Sequence, residues 1–369
     1  MSISKSILVN MTGNLHFILR VIAVLLISAM AGCGFISCSK EEQKPDFTPG
    51  GRFESSMLHQ YFTPLPHYDT SHWTPADRAK VIMGKNLFYD GRLSASKKIS
   101  CATCHDIQHY GTDGLVTSVG HKGLHGRRNA PSVLNAALQF GQFWDARVRT
   151  IEEQWTGPLM SEREMGTKDT TALLRFLQQD SVYGPFFRQY YGHKTLTLED
   201  VGEVIGAFER ILLTPSKWDT FLRGEAALSQ EENRGLRLFI QWKCVRCHSG
   251  TLLGGDRASQ FPGERPYWEY THSDSYDAGR YLVTGNPADK LAFKVPSLRN
   301  VVETAPYFHD GSVPALDDAI ELMANASGYH PKKHQIMAMI AFLKTLTGTL
   351  PSYKWMELDN RKDIMDATE

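Results

Sequence analysis

Hydrophobic and polar positions alternate with helical spacing in several stretches of this chain, and almost nowhere with strand spacing. Thr74-Pro75 reads as an N-cap followed by proline at the first helical position, and Val81, Ile82 and Met83 give the segment an apolar side. Thr197 with Asp200 spells a capping box. Beyond it, Val201, Val204, Ile205, Phe208, Ile211 and Leu212 recur at helical intervals. Ser229 with Glu232 opens another helix, which runs toward a cysteine motif at 244. Residues 317–323 and 335–346 predict two more. No long apolar–polar alternation occurs, so the fold is expected to be mainly α. The helices are separated by long segments rich in Gly, Asp, Ser and Pro, around 101–126 and 249–294. Loops of that length in a compact domain usually carry function.

The beginning of the chain has a different pattern. Residues 21–37 carry no charge and are mostly apolar, and Lys5 and Arg20 precede them. This reads as an export signal with a positive start, although the stretch also approaches the length of a bilayer span, which leaves an uncleaved anchor as the alternative. Cys33 and Cys38 each end a segment resembling a bacterial lipoprotein processing site. Cys38, followed by Ser-Lys-Glu-Glu, is the favoured lipidation point. Residues 1–38 are therefore expected to be a signal and lipoprotein segment, and polar residues 39–52 a flexible tether. The protein is expected to be lipid-anchored on the periplasmic side of a bacterial envelope.

The chain has 369 residues, enough for about two domains. Its formal net charge is zero, and it shows no basic patch of the kind a nucleic-acid partner requires.

Cysteine usage changes the picture most. The chain has six cysteines, and four of them fall in two pentapeptides, Cys101-Ala-Thr-Cys104-His105 and Cys244-Val-Arg-Cys247-His248. Cys-x-x-Cys-His is the attachment signature of c-type haem. Two thiols at that spacing reach the vinyl groups of one porphyrin, and the adjacent histidine is then held under the iron. A zinc site would need a second Cys or His pair at finger spacing, and a redox dithiol has no use for the histidine. Two covalently bound haem c groups follow. Once the haems have taken four thiols, no disulfide framework remains for the folded body. Each motif has its own flanking helices, which predicts two c-type cytochrome-like haem domains with long loops, at 53–215 and 216–350, and a tail at 351–369. The boundary is expected near 213–217.

The second axial ligand of each iron decides between electron transfer and catalysis. Spacing alone cannot choose it from fourteen histidines and twelve methionines.

Further landmarks stand in order. They are Gly84-Lys-Asn-Leu-Phe-Tyr-Asp-Gly-Arg-Leu-Ser94, Gly120-His121, Arg128-Asn-Ala-Pro131, Phe143-Trp-Asp145, Glu153-Gln154, Gly157-Pro158, Glu164-Met-Gly166, Pro296-Ser-Leu-Arg-Asn300 and Thr304-Ala-Pro-Tyr-Phe-His-Asp-Gly311. With the two haem motifs, they resemble the bacterial dihaem cytochrome c peroxidase family over roughly residues 75–350.

The resemblance implies specific roles. His105 and His121 would ligate the first, low-potential haem, His121 as a distal ligand in the oxidised protein. His125 is a rival for that place. His248 and Met323 would ligate the second, high-potential haem. Trp144 would lie between the haems and pass electrons, and Gln154 and Glu164 would form the peroxide pocket. Asn129, Thr304 and Pro306 would hold a calcium ion through side-chain and carbonyl oxygens. The implied activity is reduction of hydrogen peroxide to water, with electrons from a small cytochrome c or cupredoxin, by a protein that forms a homodimer. The glycine-rich loop 111–126 has the composition of a hinge that could carry His121 away. Two other readings stay open. One is a dihaem oxidase that matures a partner protein's cofactor, although such relatives carry Tyr where this chain has Met323. The other is a non-catalytic dihaem electron carrier.

Overall fold

The computed structural model describes residues 55–352, except 68, 193 and 194. The expectations for the signal segment, for Cys33 and Cys38, for the tether and for most of the tail lie outside them. Among the described residues no helix is long and apolar enough to cross a membrane.

The fold is mainly α, and its helices begin where the capping residues place them. Thr74 caps the Pro75–Tyr89 helix, Thr197 the Leu198–Arg210 helix and Ser229 the Gln230–Gln241 helix. In each, a reciprocal bond pairs the cap with the acidic residue three positions on. The expected helices at 317–323 and 335–346 form as Leu316–Ala326 and Lys333–Lys344. Extended structure among the described residues is slight. Ala258–Gln260 pairs antiparallel with Ala292–Lys294, two three-residue strands too short to produce a readable alternation.

Two helix pairs form the frame. The 75–89 helix crosses the 198–210 helix, and the 230–241 helix crosses the 333–344 helix. Each crossing has a glycine at its centre. A Cβ on Gly84 would lie 2.1 Å from the Val204 carbonyl oxygen, and a Cβ on Gly235 would lie 2.0 Å from that of Ala338. A phenylalanine one turn further on, Phe208 or Phe342, closes each contact.

The correspondence extends beyond the helices. In the first half, Ser132 Oγ donates to the Tyr110 carbonyl (2.6 Å) and accepts from Leu134 N–H (3.1 Å). In the second, Ser297 Oγ donates to the Leu252 carbonyl (2.9 Å) and accepts from Arg299 N–H (3.1 Å). Asn135 and Asn300 both adopt left-handed backbone, at φ 60° and 61°. Their backbone N–H groups donate to Leu212 and Leu346. Their side-chain amides both donate to Thr214 Oγ1, at 2.8 and 2.9 Å. Equivalent contacts thus recur in the first and second halves of the described chain, and the two sets meet at one hydroxyl.

The segment 213–217, expected to be a domain boundary, lies at this junction and is largely buried. Thr214 is fully buried and Leu213 and Ser216 nearly so. Next to it, Arg299 and Asp219 form a buried ion pair at 2.7 Å, and Asp219 also accepts from Leu65 N–H and Ser216 N–H. A buried pair is tolerated when its remaining lone pairs are satisfied in this way.

Candidate functional site

Both cysteine motifs fold into one tight turn. Cys101–Cys104 is a short helix in which the N–H of His105 donates to the Cys101 carbonyl at 2.9 Å. At the second motif, the left-handed Lys243 (φ 62°) ends the preceding helix, and His248 N–H donates to the Cys244 carbonyl at 2.8 Å. One turn puts the two sulfurs of each motif on the same side. All four thiols are free of disulfides. Burial pushes the Cys101 and Cys244 thiols up to about 12, with Glu209 adding to the effect on Cys101.

The two histidines are oriented alike. His105 Nδ1 lies 3.2 Å from the Gly111 carbonyl, and the ring is also near that of Pro131. His248 Nδ1 lies 3.0 Å from the Leu253 carbonyl, and the ring is also near that of Pro296. Carbonyls only accept, so each Nδ1 carries the proton and each Nε2 presents a lone pair. Burial lowers both histidine pKa values, which keeps the rings neutral. Free paired thiols beside a histidine whose Nδ1 is turned to a backbone carbonyl are the donor set that covalent haem needs, and this set occurs twice.

Further groups gather around the first motif. His121 sits in a turn between Gly120 and Gly123, and its backbone N–H donates to the Glu164 carbonyl at 2.7 Å. Gly120 and Gly166 make that approach possible. A Cβ on Gly120 would lie 2.0 Å from the Arg163 carbonyl oxygen, and one on Gly166 would lie 2.9 Å from the His121 ring. His121 Nδ1 is buried and has no protein partner. His125, the rival, is exposed, with its Nδ1 3.4 Å from Thr117 Oγ1.

Glu164 is half-buried, and burial raises its pKa while Arg147 pulls the other way. Its charge is felt at Cys104, whose thiol is raised mainly by burial and receives a hydrogen bond from Ser118. Residues 104, 118, 121 and 164 are thus gathered together. Gln154 ends the Ile151–Gln154 helix, which packs on the 198–210 helix, and is half-buried.

Trp144 joins the halves. Its indole N–H donates to the Asn129 carbonyl at 2.9 Å, its own carbonyl accepts from Lys294 N–H at 2.6 Å, and its ring meets His309 edge-on at 6.3 Å. Asn129 N–H donates to the His309 carbonyl, which brings the segment after Thr304 and Pro306 against Asn129. The Asn129 amide nitrogen is spent on the carbonyls of Leu115 and Val116, leaving Oδ1 as its oxygen for a cation. Met323 lies half-buried on the 316–326 helix.

Sequence reasoning missed Arg147 and Lys294. Arg147 bonds Asp145 and stacks its guanidinium 3.4 Å from the Phe143 ring centroid, beside Glu164. Its position two residues after the Phe-Trp-Asp landmark was the available signal. Lys294 is almost fully buried between the halves, and nothing in the sequence separates it from a surface lysine.

Known proteins agree with this reading. The profile described as di-haem cytochrome c peroxidase matches residues 78–227. A cytochrome c551 peroxidase of Nitrosomonas europaea is 39% identical over 284 residues, which is 76% of this chain and 84% of that protein. A cytochrome c551 peroxidase of Pseudomonas aeruginosa is 36% identical over 301 residues, 80% of this chain and 86% of that protein. Among solved structures, a MauG-like protein associated with microbial copper homeostasis aligns with a TM-score of 0.64 and 26% identity, covering 82% of this chain and 96% of its own. With two haem-attachment turns in duplicated frames and relatives of this similarity over most of its length, the chain belongs to the di-haem cytochrome c peroxidase family.

Proposed function

We propose that this protein reduces hydrogen peroxide to two waters, taking two protons from its surroundings and two electrons from a small cytochrome c or cupredoxin on the periplasmic side of a bacterial envelope. The observation that carries this reading is what gathers at the first attachment turn: the half-buried Glu164, whose pKa burial raises, acts on Cys104, and His121, whose buried Nδ1 has no protein partner, bonds the Glu164 carbonyl.

Cys101, Cys104 and His105 would hold one haem, and Cys244, Cys247, His248 and Met323 the other. When bound, the haem irons supply the place where peroxide oxygen binds and the means of passing electrons singly. The chain supplies the rest. Glu164, with its raised pKa, keeps a proton closer to neutral pH than an ordinary carboxyl and can hand it to a departing oxygen. Arg147 limits that shift, so the group can also give the proton up. The Gln154 amide orients peroxide in the same pocket. His121 occupies the first site at rest and leaves by a turn of the 111–126 loop, where Gly111, Gly114, Lys122 and Gly123 all have positive φ. Trp144 offers an electron path between halves. Asn129 Oδ1, with the carbonyls of Thr304 and Pro306, would hold a calcium ion at this seam; among the described residues no cluster of three acidic, His or Cys side chains offers a different kind of site. Lipidation at Cys38 and formation of a homodimer complete the proposal. Met rather than Tyr at position 323 supports peroxidase work over maturation of a partner's cofactor.

The test uses the full chain made in a host that attaches haem. Two haems per chain, and peroxide-dependent oxidation of a reduced cytochrome c that Glu164→Gln largely abolishes, are the expected results. Full haem loading without peroxide consumption from any donor protein would leave an electron carrier.

A further inference from the structure

Lys294 is the most deeply buried lysine among the described residues, only 5% exposed. It ends the 292–294 strand in the seam between the halves. Its backbone N–H donates to the Trp144 carbonyl, and two residues later the Pro296 carbonyl lies beside Gly254 and bonds the His248 ring. Lys294 therefore lies on a short backbone segment that touches Trp144 at one end and reaches the His248 ring at the other.

The side chain is satisfied in an unusual way. Nζ donates to Gln139 Oε1 and, at 3.0 Å, to the Gly141 carbonyl. Both partners are neutral acceptors. Among the described residues no carboxylate forms an ion pair with it. The nearest acidic influence, Asp145, is already bound to Arg128 at 2.6 Å and Arg147 at 3.0 Å. On the paired strand side, Asp256 and Arg257 bond one another, and His309 lies across the Trp144 ring. A neutral amine has two N–H donors and finds two acceptors. An ammonium has three donors and a full charge, and here it lacks both a third acceptor and its own counter-ion. Burial accordingly lowers the lysine pKa to about 7.

We infer that Lys294 is a charge-compensating group that takes up a proton when the second haem is reduced. An electron arriving at that haem makes the seam more negative and raises proton affinity at Nζ. By linkage, proton uptake raises the haem's affinity for its electron equally. The balance is one electron from the donor protein and one proton from solvent; the amine becomes an ammonium, and no bond to Gln139 or Gly141 has to break. This inference rests on the haem assignment proposed above.

The test is a spectroelectrochemical titration of the haem-loaded protein between pH 5.5 and 8.5, with haem content measured first. In the wild type the midpoint of the second haem falls with rising pH, with a slope approaching about 59 mV per pH unit, the value for one proton per electron. Lys294→Met flattens that slope and lowers the midpoint at acid pH. Lys294→Arg, permanently charged, flattens it at the upper value. A Lys294→Met protein carrying two haems and keeping the wild-type slope overturns the inference, as does a shift that is the same at every pH. Failure to find two haems in the wild type would instead defeat the haem assignment itself.

Discussion

The two halves share a frame and differ in what supports the far side of each attachment turn. In the first half the candidate ligand, His121, stands on a loop. Its backbone bonds are one to the Glu164 carbonyl and one within its own turn, from Leu124 N–H, and its neighbours Leu115, Val116, Val119 and Leu124 are exposed apolar residues on chain with little regular structure. In the second half the candidate ligand, Met323, stands on an 11-residue helix that packs on the 333–344 helix and the Tyr267–Thr271 helix. Moving His121 costs a turn of glycine-rich chain. Moving Met323 means unpacking a helix, and regions with few buried contacts open first. On the proposed ligand assignment, the two attachment sites are similar, and the difference in local support would make one displaceable and the other fixed.

This comparison can be broken most sharply at Glu164. Glu164→Gln keeps the shape and removes the transferable proton, so peroxide turnover should fall by about 10²–10⁴-fold while the second haem's spectrum is unchanged. Steady-state kinetics with matched spectra decide it. An equal loss from changing an exposed acid such as Glu162 would remove the special role of the first half.

The shared frame is tested by its two glycines. Gly84→Ala and Gly235→Ala each drive a Cβ into a carbonyl oxygen on the partner helix, and each should destabilise the protein by about 1–3 kcal/mol or more. Denaturant midpoints for the pair should move together. A large effect at one and none at the other would show that the helix crossings are not equivalent.

At the junction, Thr214→Val removes the oxygen that accepts from both Asn135 and Asn300. Leaving buried amides unpaired should cost about 1–3 kcal/mol. Asn135→Ala and Asn300→Ala, combined in a double-mutant cycle with it, should be less than additive because they share that oxygen.

A pH-dependent difference between halves comes from Glu209. Burial, with Glu152 nearby, raises this carboxyl from about 4.5 to about 8. Its folded pKa lies above its unfolded one, so the stability it contributes is intact below about pH 4.5 and is lost as pH rises toward 8. Glu209→Gln should therefore gain stability relative to wild type at pH 8 and little at pH 4.5. Unfolding curves at the two pH values check this.

Much of the fold was legible because capping boxes are local. Thr74, Thr197 and Ser229 each mark a helix start from four residues of sequence, and the haem turns announce themselves from five. A duplication was legible in outline, from two Cys-x-x-Cys-His motifs each with flanking helices, but little repeat could be read outside them. The further matching points are single residues, Gly84 with Gly235 and Asn135 with Asn300, or the dipeptides Pro131-Ser132 and Pro296-Ser297, and the loops between them differ in length. Their equivalent hydrogen bonds bring these points out. The pocket acid and the loop histidine could be named from the family landmarks. Arg147 and Lys294 could not, because their significance comes from burial and from neighbours distant in the chain.

The most direct test of the account is to mix hydrogen peroxide rapidly with haem-loaded wild type, His121→Ala and Met323→Ala, each fully oxidised and half-reduced, and to follow the absorbance of both haems. The account predicts that His121→Ala reacts at the first haem without prior reduction, faster than oxidised wild type. It also predicts that Met323→Ala changes the second haem's spectrum without opening a peroxide site there. Equal gains from both substitutions, or no change in the resting spectrum of His121→Ala, would contradict the division of labour between a displaceable and a fixed half.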